Sequence, residues 1–436
     1  MNARALLLAA AASGSGKTTL TLGLLRALRN RGLRVGAAKV GPDFIDPAFH
    51  AVACGRRSAT LDLWGMREQT LRAELAAVAA ESDIVLVEGV MGLFDGARDG
   101  VGSSAHLAKR LDLPIVLVLD VAAQATTAAA VAFGLARYDP ELRVCGAILN
   151  RVGSAGHAAT IVPSLEAIGI RSLGALVSNA ALALPERHLG LVQAREHHDL
   201  ERFLDAAAAA CEAQLDLDAL LQLAAPLRDL VVSHESPLAP LGSHIAIADD
   251  CAFAFSYAHI TEGWRRAGAH LSRFSPLADE GPSAEADAVY LPGGYPELHA
   301  GRLAAAANFR AGMEAARARD AAIYGECGGY MVLGERLADR DAVEHAMLGF
   351  LPLQFSYARP RLHLGYREVR TLVEMPFASA GASLRGHEFH FASVASESAA
   401  KALFECSDAT GASLRMGMQR GSVQGSFLHL LDRVGA

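Results

Sequence analysis

A cysteine flanked by glycines can serve as a nucleophile, and residues 321–330 place one in a telling pattern. They read A-A-I-Y-G-E-C-G-G-Y, a short apolar run followed by G-x-C-x-G and an apolar helical start. This is the spacing of a nucleophile elbow with sulfur in place of a serine oxygen. The glycines permit the tight turn that presents Cys327, and the N-terminus of the helix that follows is expected to lower its thiol pKa toward thiolate. Residues 291–296, L-P-G-G-Y-P, follow the preceding apolar run. Gly293 and Gly294, with Gly328, are therefore candidates to donate backbone N–H groups to an oxyanion. A cysteine nucleophile also needs a base, and His387, His390 and His429 all qualify by type. His387 and His390 in H-E-F-H are one residue too close together for the zinc-binding H-E-x-x-H.

A second chemistry lies near the start of the chain. Residues 12–19 read A-S-G-S-G-K-T-T. Gly14, Ser15 and Gly16 are small enough for backbone N–H groups to close around phosphate oxygens at a helix N-terminus. Lys17 is expected at the terminal phosphates and Thr18 at Mg²⁺, with Thr19 beside them. The match departs from G-x-x-x-x-G-K-[ST] at Ala11, which replaces the leading glycine. Two further segments, K-V-G-P-D-F-I-D-P at 39–47 and E-G-V-M-G-L-F-D-G at 88–96, each follow an apolar run. Their acidic residues suit turns, Asp43 and Asp46 beside prolines and Asp95 before a glycine. Next to a phosphate loop they also suit Mg²⁺, which takes one or two carboxylates plus phosphate and water. Asp43 and Glu88 are accordingly the candidate metal or substrate groups.

The elements that must position these residues are legible as periodicities. Short runs at 5–10, 35–40, 84–88, 115–120 and 146–150 are apolar on both faces, as in a parallel sheet covered by helices. Helical segments intervene, such as 18–30 with its repeated leucines. Residues 206–211 and 303–307 are alanine-rich and read as helix. Residues 233–243, S-H-E-S-P-L-A-P-L-G-S, read as a linker. Beyond it the alternation resumes, with strands at 245–248, 288–291 and 321–324 and a helix at 257–268. The expectation is two α/β domains in series, 1–232 and 243–436, joined by 233–242.

Composition narrows the function. The chain has 436 residues, 52% apolar and 20% charged, with a net charge of −7. It lacks the concentrated basic surface that a nucleic-acid partner requires. No apolar run reaches the roughly 18 residues of a spanning helix, so no membrane partner is expected. The six cysteines form no C-x-x-C pair, which argues for a reducing, cytoplasmic setting.

As a set, the stretches S-G-S-G-K-T-T, K-V-G-P-D-F-I-D-P-A-F-H, V-E-G-V-M-G-L-F-D-G, P-E-R-H-L-G-L, L-P-G-G-Y-P-E-L-H-A, G-E-C-G-G-Y-M and L-R-G-H-E-F-H-F resemble the cobyrinic acid a,c-diamide synthase family over essentially the whole chain. The resemblance implies an N-terminal P-loop domain similar to dethiobiotin synthetase and a C-terminal domain like a class I glutamine amidotransferase. It implies a ligase of cobalamin biosynthesis whose substrates are ATP, glutamine and a corrin-ring acid, with Mg²⁺ at the nucleotide. It makes Cys327 the glutaminase nucleophile and His429 its activator, and places Asp43, Asp46 and Glu88 in the synthetase site. Many class I amidotransferases carry a glutamate two residues after the catalytic histidine. Here that position is Leu431, so the resemblance names a dyad only. Residues 274–282 and 426–432 look most like the aerobic-pathway branch, which acts on metal-free hydrogenobyrinic acid.

Cobyric acid synthase joins similar domains but resembles the chain less at 39–47 and at G-Y-R-E, 365–368. A partitioning-type P-loop ATPase is a rival of another class. It would carry a second lysine where Ala12 stands, and it leaves Cys327 without a purpose. The oligomeric state is left open, a homodimer included.

Overall fold

The structure, a computed structural model, describes residues 3–97, 100–187, 190–230, 232–233, 235–397, 400–407 and 413–435. His188 and Leu189 of the 185–191 stretch and His234 of the linker lie outside the described residues. The chain divides into two compact units, Met1–Trp64 with Glu68–Ser233, and Gly65–Arg67 with His234–Ala436.

The first unit alternates strand and helix: β1 (Arg4–Ala10), α1 (Lys17–Asn30), β2 (Val35–Val40), α2 (Ile45–Cys54), β3 (Ser58–Leu61), α3 (Glu68–Ala79), β4 (Ile84–Glu88), α4 (Ser104–Arg110), β5 (Ile115–Asp120), α5 (Thr127–Arg137), β6 (Val144–Val152), α6 (Ala155–Ala167) and β7 (Ser172–Val177). A short ladder follows, β8 (Glu186–Arg187) with β9 (Gly190–Leu191), then α7 (Leu200–Gln214), α8 (Leu217–Leu223) and β10 (Ala225–Pro226). The main strands run parallel in the order β3-β2-β4-β1-β5-β6-β7, and only β10 joins antiparallel, on β1. β1, β2 and β4 are buried along nearly their whole length, which explains their apolar character on both faces. Because they are parallel, the loops after β1, β2, β4 and β6 leave from one edge, where ligands collect in such sheets. Register then sets neighbours: Lys39 pairs with Glu88, and Glu88 with Leu8.

The second unit opens with β11 (His244–Ala248), α9 (Ala258–Arg266), β12 (His270–Phe274), β13 (Ala288–Leu291), α10 (Ala300–Ala305), α11 (Ala307–Ala318), β14 (Ala322–Glu326) and α12 (Gly328–Leu333). The alanine run at 303–307 is not one helix. Ala306 takes an extended backbone (φ −75°, ψ 90°) that ends α10 and starts α11. There follow β15 (Arg336–Ala338), β16 (Glu344–Ala346), β17 (Leu353–Ser356), β18 (His363–Thr371), β19 (Ser383–His390), β20 (Ser393–Glu397), β21 (Phe404–Ser407), β22 (Ser413–Met416), β23 (Met418–Arg420), β24 (Val423–Ser426) and β25 (His429–Arg433). The central sheet has the order β12-β11-β13-β14-β24-β23, parallel except at β23. A second, antiparallel sheet runs β22-β21-β18-β19-β25. The chain passes from β24 in the first sheet to β25 in the second through Phe427 and Leu428 alone. Among the described residues no helix is long and apolar enough to cross a membrane.

Candidate functional site

The phosphate loop occupies the turn from β1 into α1. Gly16 is the N-cap of α1 at φ 82°, a left-handed conformation that glycine adopts without steric cost. A side chain there would also strike the amide of Asn150, whose Nδ2 donates to Ser15 O at 2.9 Å. Gly14 is left-handed too, at φ 77°. Ser15 Oγ donates to Ala12 O at 2.9 Å, and Thr19 Oγ1 to Leu182 O at 3.4 Å. Lys17 Nζ donates to Ala12 O and to Met91 O, at 3.1 and 2.6 Å. Burial and the like charge of Lys39 bring Lys17 down to about 8.

Beside the loop lies a buried charge cluster. Thr18 Oγ1 donates to Glu88 Oε1 at 2.7 Å and sits 3.4 Å from Asp46 Oδ2. Lys39 Nζ reaches Asp46 Oδ2 at 2.6 Å and Glu88 Oε1 at 2.8 Å. The second oxygen of Glu88 lies 2.7 Å from His50 Nε2, whose Nδ1 is 3.2 Å from Ser58 Oγ. Burial opposes the charge on Glu88, but Lys39 and His50 overcome it and hold the carboxylate well below its usual range. Burial likewise opposes the charge on Lys39, and Asp46 and Glu88 more than offset it. Asp46 is pushed up to about 7 by burial and by Asp43, against the pull of Lys39. Asp43 has one oxygen engaged as a cap, accepting from Ile45 N and Asp46 N at 2.8 and 3.1 Å. Asp95 holds a turn, accepting from Gly92 N at 2.8 Å. The oxygens that converge are thus those of Thr18, Asp46 and Glu88. Among the described residues no group of three or more His, Cys, Asp or Glu side chains could hold a metal by itself. Mg²⁺ needs fewer, since phosphate and water complete its shell, and the Asp46 and Glu88 oxygens already meet at one cation, the Lys39 ammonium.

The second constellation sits at the C-terminal ends of β13, β14 and β24. Cys327, between β14 and α12, has φ 47° and ψ −107°, a strained backbone for a non-glycine residue that costs on the order of 1–3 kcal/mol. Its N–H donates to Ser426 O at 2.8 Å, tying the turn to the end of β24. The residue is 1% exposed. Burial therefore dominates and pushes the thiol well up, assisted by Glu297; N–H groups of Gly328 and Gly294 at the sulfur pull the other way. This corrects the expectation of a thiol lowered by the helix N-terminus. α12 has only six residues, and the desolvation of a fully enclosed sulfur outweighs its dipole.

Of the three candidate bases, His429 is the one beside Cys327. A side chain on Gly293 would collide with the His429 ring, 3.1 Å from its Nε2, and would lie 3.2 Å from Cys327 Cβ. Cys327 and His429 thus share the space that the missing side chain leaves. His387 stacks on the His429 ring at 5.1 Å and 16°, and its own Nε2 is 2.7 Å from the Tyr257 hydroxyl. His390 is turned away, with Nδ1 2.9 Å from Ala392 O and its ring on Phe427 at 3.8 Å. Burial and His390 bring His429 down to about 3, leaving it neutral near pH 7. Gly294 and Gly328 have N–H groups at the sulfur, whereas Gly293 acts by its lack of a side chain.

Sequence reasoning passed over Lys39, His50, Asn150 and Glu326 as site residues. The signals were present. Lys39 and Asn150 stand near the C-terminal ends of apolar strands. His50 is four residues after Asp46 on one helix, and so on the same face.

Residues 6–192 match the family described as the CobQ/CobB/MinD/ParA nucleotide binding domain, and residues 244–433 the CobB/CobQ-like glutamine amidotransferase domain. The molecule is therefore a P-loop nucleotide-binding domain followed by a glutamine amidotransferase domain. The hydrogenobyrinate a,c-diamide synthase of Brucella anthropi is 52% identical over 433 residues, covering 98% of each chain. The enzyme of that name from a Sinorhizobium species is 52% identical over 99% of each, and that of Rhizobium meliloti 50% identical over 98% of this chain and 99% of its own. The chain belongs to the hydrogenobyrinate a,c-diamide synthase family.

Proposed function

We propose that this chain uses ATP and glutamine to convert the a and c acetate carboxylates of hydrogenobyrinic acid into carboxamides. Residues 1–232 form the synthetase domain and 243–436 the glutaminase domain, with 233–242 between them. The observation that carries the reading is the presence, in one chain, of an enclosed Cys327–His429 pair and of a phosphate loop flanked by Lys39, Asp46 and Glu88.

In the glutaminase domain Cys327 Sγ attacks the side-chain amide carbon of glutamine while His429 takes the thiol proton. The enclosed thiol and the neutral imidazole make transfer during attack the natural course, in place of a resting ion pair. N–H groups of Gly294 and Gly328 receive the oxyanion. His429 then returns the proton to the leaving nitrogen, ammonia departs, and water hydrolyses the thioester to glutamate. In the synthetase domain Lys17 and the loop N–H groups hold the phosphates of ATP. Thr18, Asp46 and Glu88 are the residues that would hold Mg²⁺, which supplies charge neutralisation on those phosphates. Asp43 lies beside them. A ring carboxylate oxygen takes the γ-phosphoryl group, ADP leaves, and ammonia displaces phosphate from the acyl carbon.

The test incubates the purified protein with ATP, Mg²⁺, glutamine and, separately, hydrogenobyrinic or cobyrinic acid, and follows the ring by mass spectrometry. Conversion of two carboxylic acids to amides in hydrogenobyrinic acid is expected. An unchanged ring, or amidation at other side chains, overturns the reading.

A further inference from the structure

We propose that Glu326, the residue immediately before the nucleophile, is the positioning carboxylate of the glutaminase base. This rests on the reading of Cys327 and His429 as nucleophile and base. The ring of His429 is bracketed: its Cε1–Nε2 edge borders the space left by Gly293 beside Cys327, and Nδ1 lies 3.7 Å from Glu326 Oε2. That separation is about 0.5 Å beyond ordinary hydrogen-bond range, and such contacts tighten when substrate binds. Glu326 is 5% exposed and fixed from two sides, by the Tyr290 hydroxyl donating to Oε2 at 2.9 Å and by Leu430 N donating to Oε1 at 3.4 Å. Leu430 adjoins His429, so the second bond ties the carboxylate to the backbone that carries the base. Leu431, two residues past the histidine, is fully buried and apolar.

The arrangement assigns a role in the proton step. With Nδ1–H given to Glu326, the lone pair is left on Nε2, the nitrogen on the Cys327 side of the ring. The proton moves from Sγ to Nε2 and on to the departing nitrogen, while Nδ1–H stays with Glu326, whose carboxylate form, populated as pH rises toward 8, stabilises the transient imidazolium. Burial pushes Glu326 up to about 8. Tyr290, Tyr324 and Tyr257 surround it or its partner, His387 and His390 flank His429, and Glu297 lies by Cys327. Tyr290 and Tyr324 are pushed well above 10, and His387 well below its usual range.

The experiment compares full-length Glu326→Gln, Glu326→Asp and Cys327→Ala in steady-state glutamine hydrolysis, in synthesis with ammonium, and in thermal melting. Glu326→Gln is expected to lower glutaminase kcat by about 100-fold or more, with KM for glutamine within about twofold. The parent is expected to show a rise in kcat/KM near pH 8, which Glu326→Gln should remove, with Glu326→Asp intermediate. Synthesis from ammonium should continue. A Gln variant with parental kcat and pH profile overturns the proposal. So does a loss that appears equally in KM, in ammonium-driven synthesis or in the melting temperature, since that marks a structural role. Cys327→Ala separates the two readings: if it still hydrolyses glutamine, the nucleophile reading itself fails.

Discussion

Glu326 and Glu88 are both buried carboxylates, and their surroundings drive them in opposite directions. Glu88 has two cationic or proton-donating neighbours in Lys39 and His50, and stays ionised. Glu326 has a phenol and an amide N–H, neither of which offsets the loss of water, and rises to about 8. The consequence for stability can be measured. Between an unfolded value near 4.5 and a folded value near 8, the native state binds the proton that the unfolded chain has lost. The contribution of Glu326 is therefore fully present below pH 4.5 and declines as pH rises to 8. Relative to the parent, Glu326→Gln should gain stability steadily from pH 5 to pH 8, read as the difference in urea midpoint at constant slope. A difference independent of pH would show that the carboxyl ionises freely in the fold. None of this was readable in the string G-E-C-G-G, because the phenol that meets Glu326 comes from Tyr290, on the neighbouring strand.

At the scale of elements, most apolar strands of both parallel sheets were legible, β7 (S-L-G-A-L-V) being an exception. Residues 35–40, 84–88 and 115–120 are strands over those same bounds, because strands buried on both faces leave uninterrupted apolar runs. β3 (S-A-T-L) and β12 (H-L-S-R-F) escaped notice, since short or half-polar edge strands lack such a run. The antiparallel strands from β15 to β23 were also missed, their residues being largely polar and partly exposed. The candidate site was legible where chemistry demands a fixed spacing, as at Lys17, Thr18 and Cys327. It was opaque where the register of separate strands brings groups together, as for Lys39 with Glu88. Among the loops that elements support, the one after β13 leaves room for the His429 ring beside Cys327 through a single missing side chain. Gly293→Ala should move the His429 ring and reduce glutamine hydrolysis at least about tenfold, since small displacements of a catalytic group carry large rate penalties. Synthesis from ammonium serves as the control for folding. Glutaminase activity close to the parent in Gly293→Ala would mean that the ring has room to spare.

Each of the two compact units holds one constellation, Lys17 and Glu88 in the first, Cys327 and His429 in the second. The two chemistries should therefore separate by mutation. Cys327→Ala is expected to lose glutamine-dependent synthesis and keep synthesis from ammonium. Lys17→Ala should lose synthesis from either nitrogen source, because the charge it places on the transferring phosphates is absent, while glutamine hydrolysis stays measurable. Ammonium-driven synthesis at the parental rate in Lys17→Ala would remove the phosphate loop from the reaction. The passage from β24 to β25 adds an order of events. His429 follows Cys327 by 102 residues (429 − 327) and is the first residue of β25, which is laid down only after β18 and β19 of its sheet. On a ribosome, where chains fold from the N-terminal domain onward, the Cys327 sulfur emerges long before the imidazole of His429, the base of the proposed pair. On that assignment a growing chain carries a silent thiol until β25 joins its sheet, and ammonia release waits for molecules whose residues 1–232 have already been made.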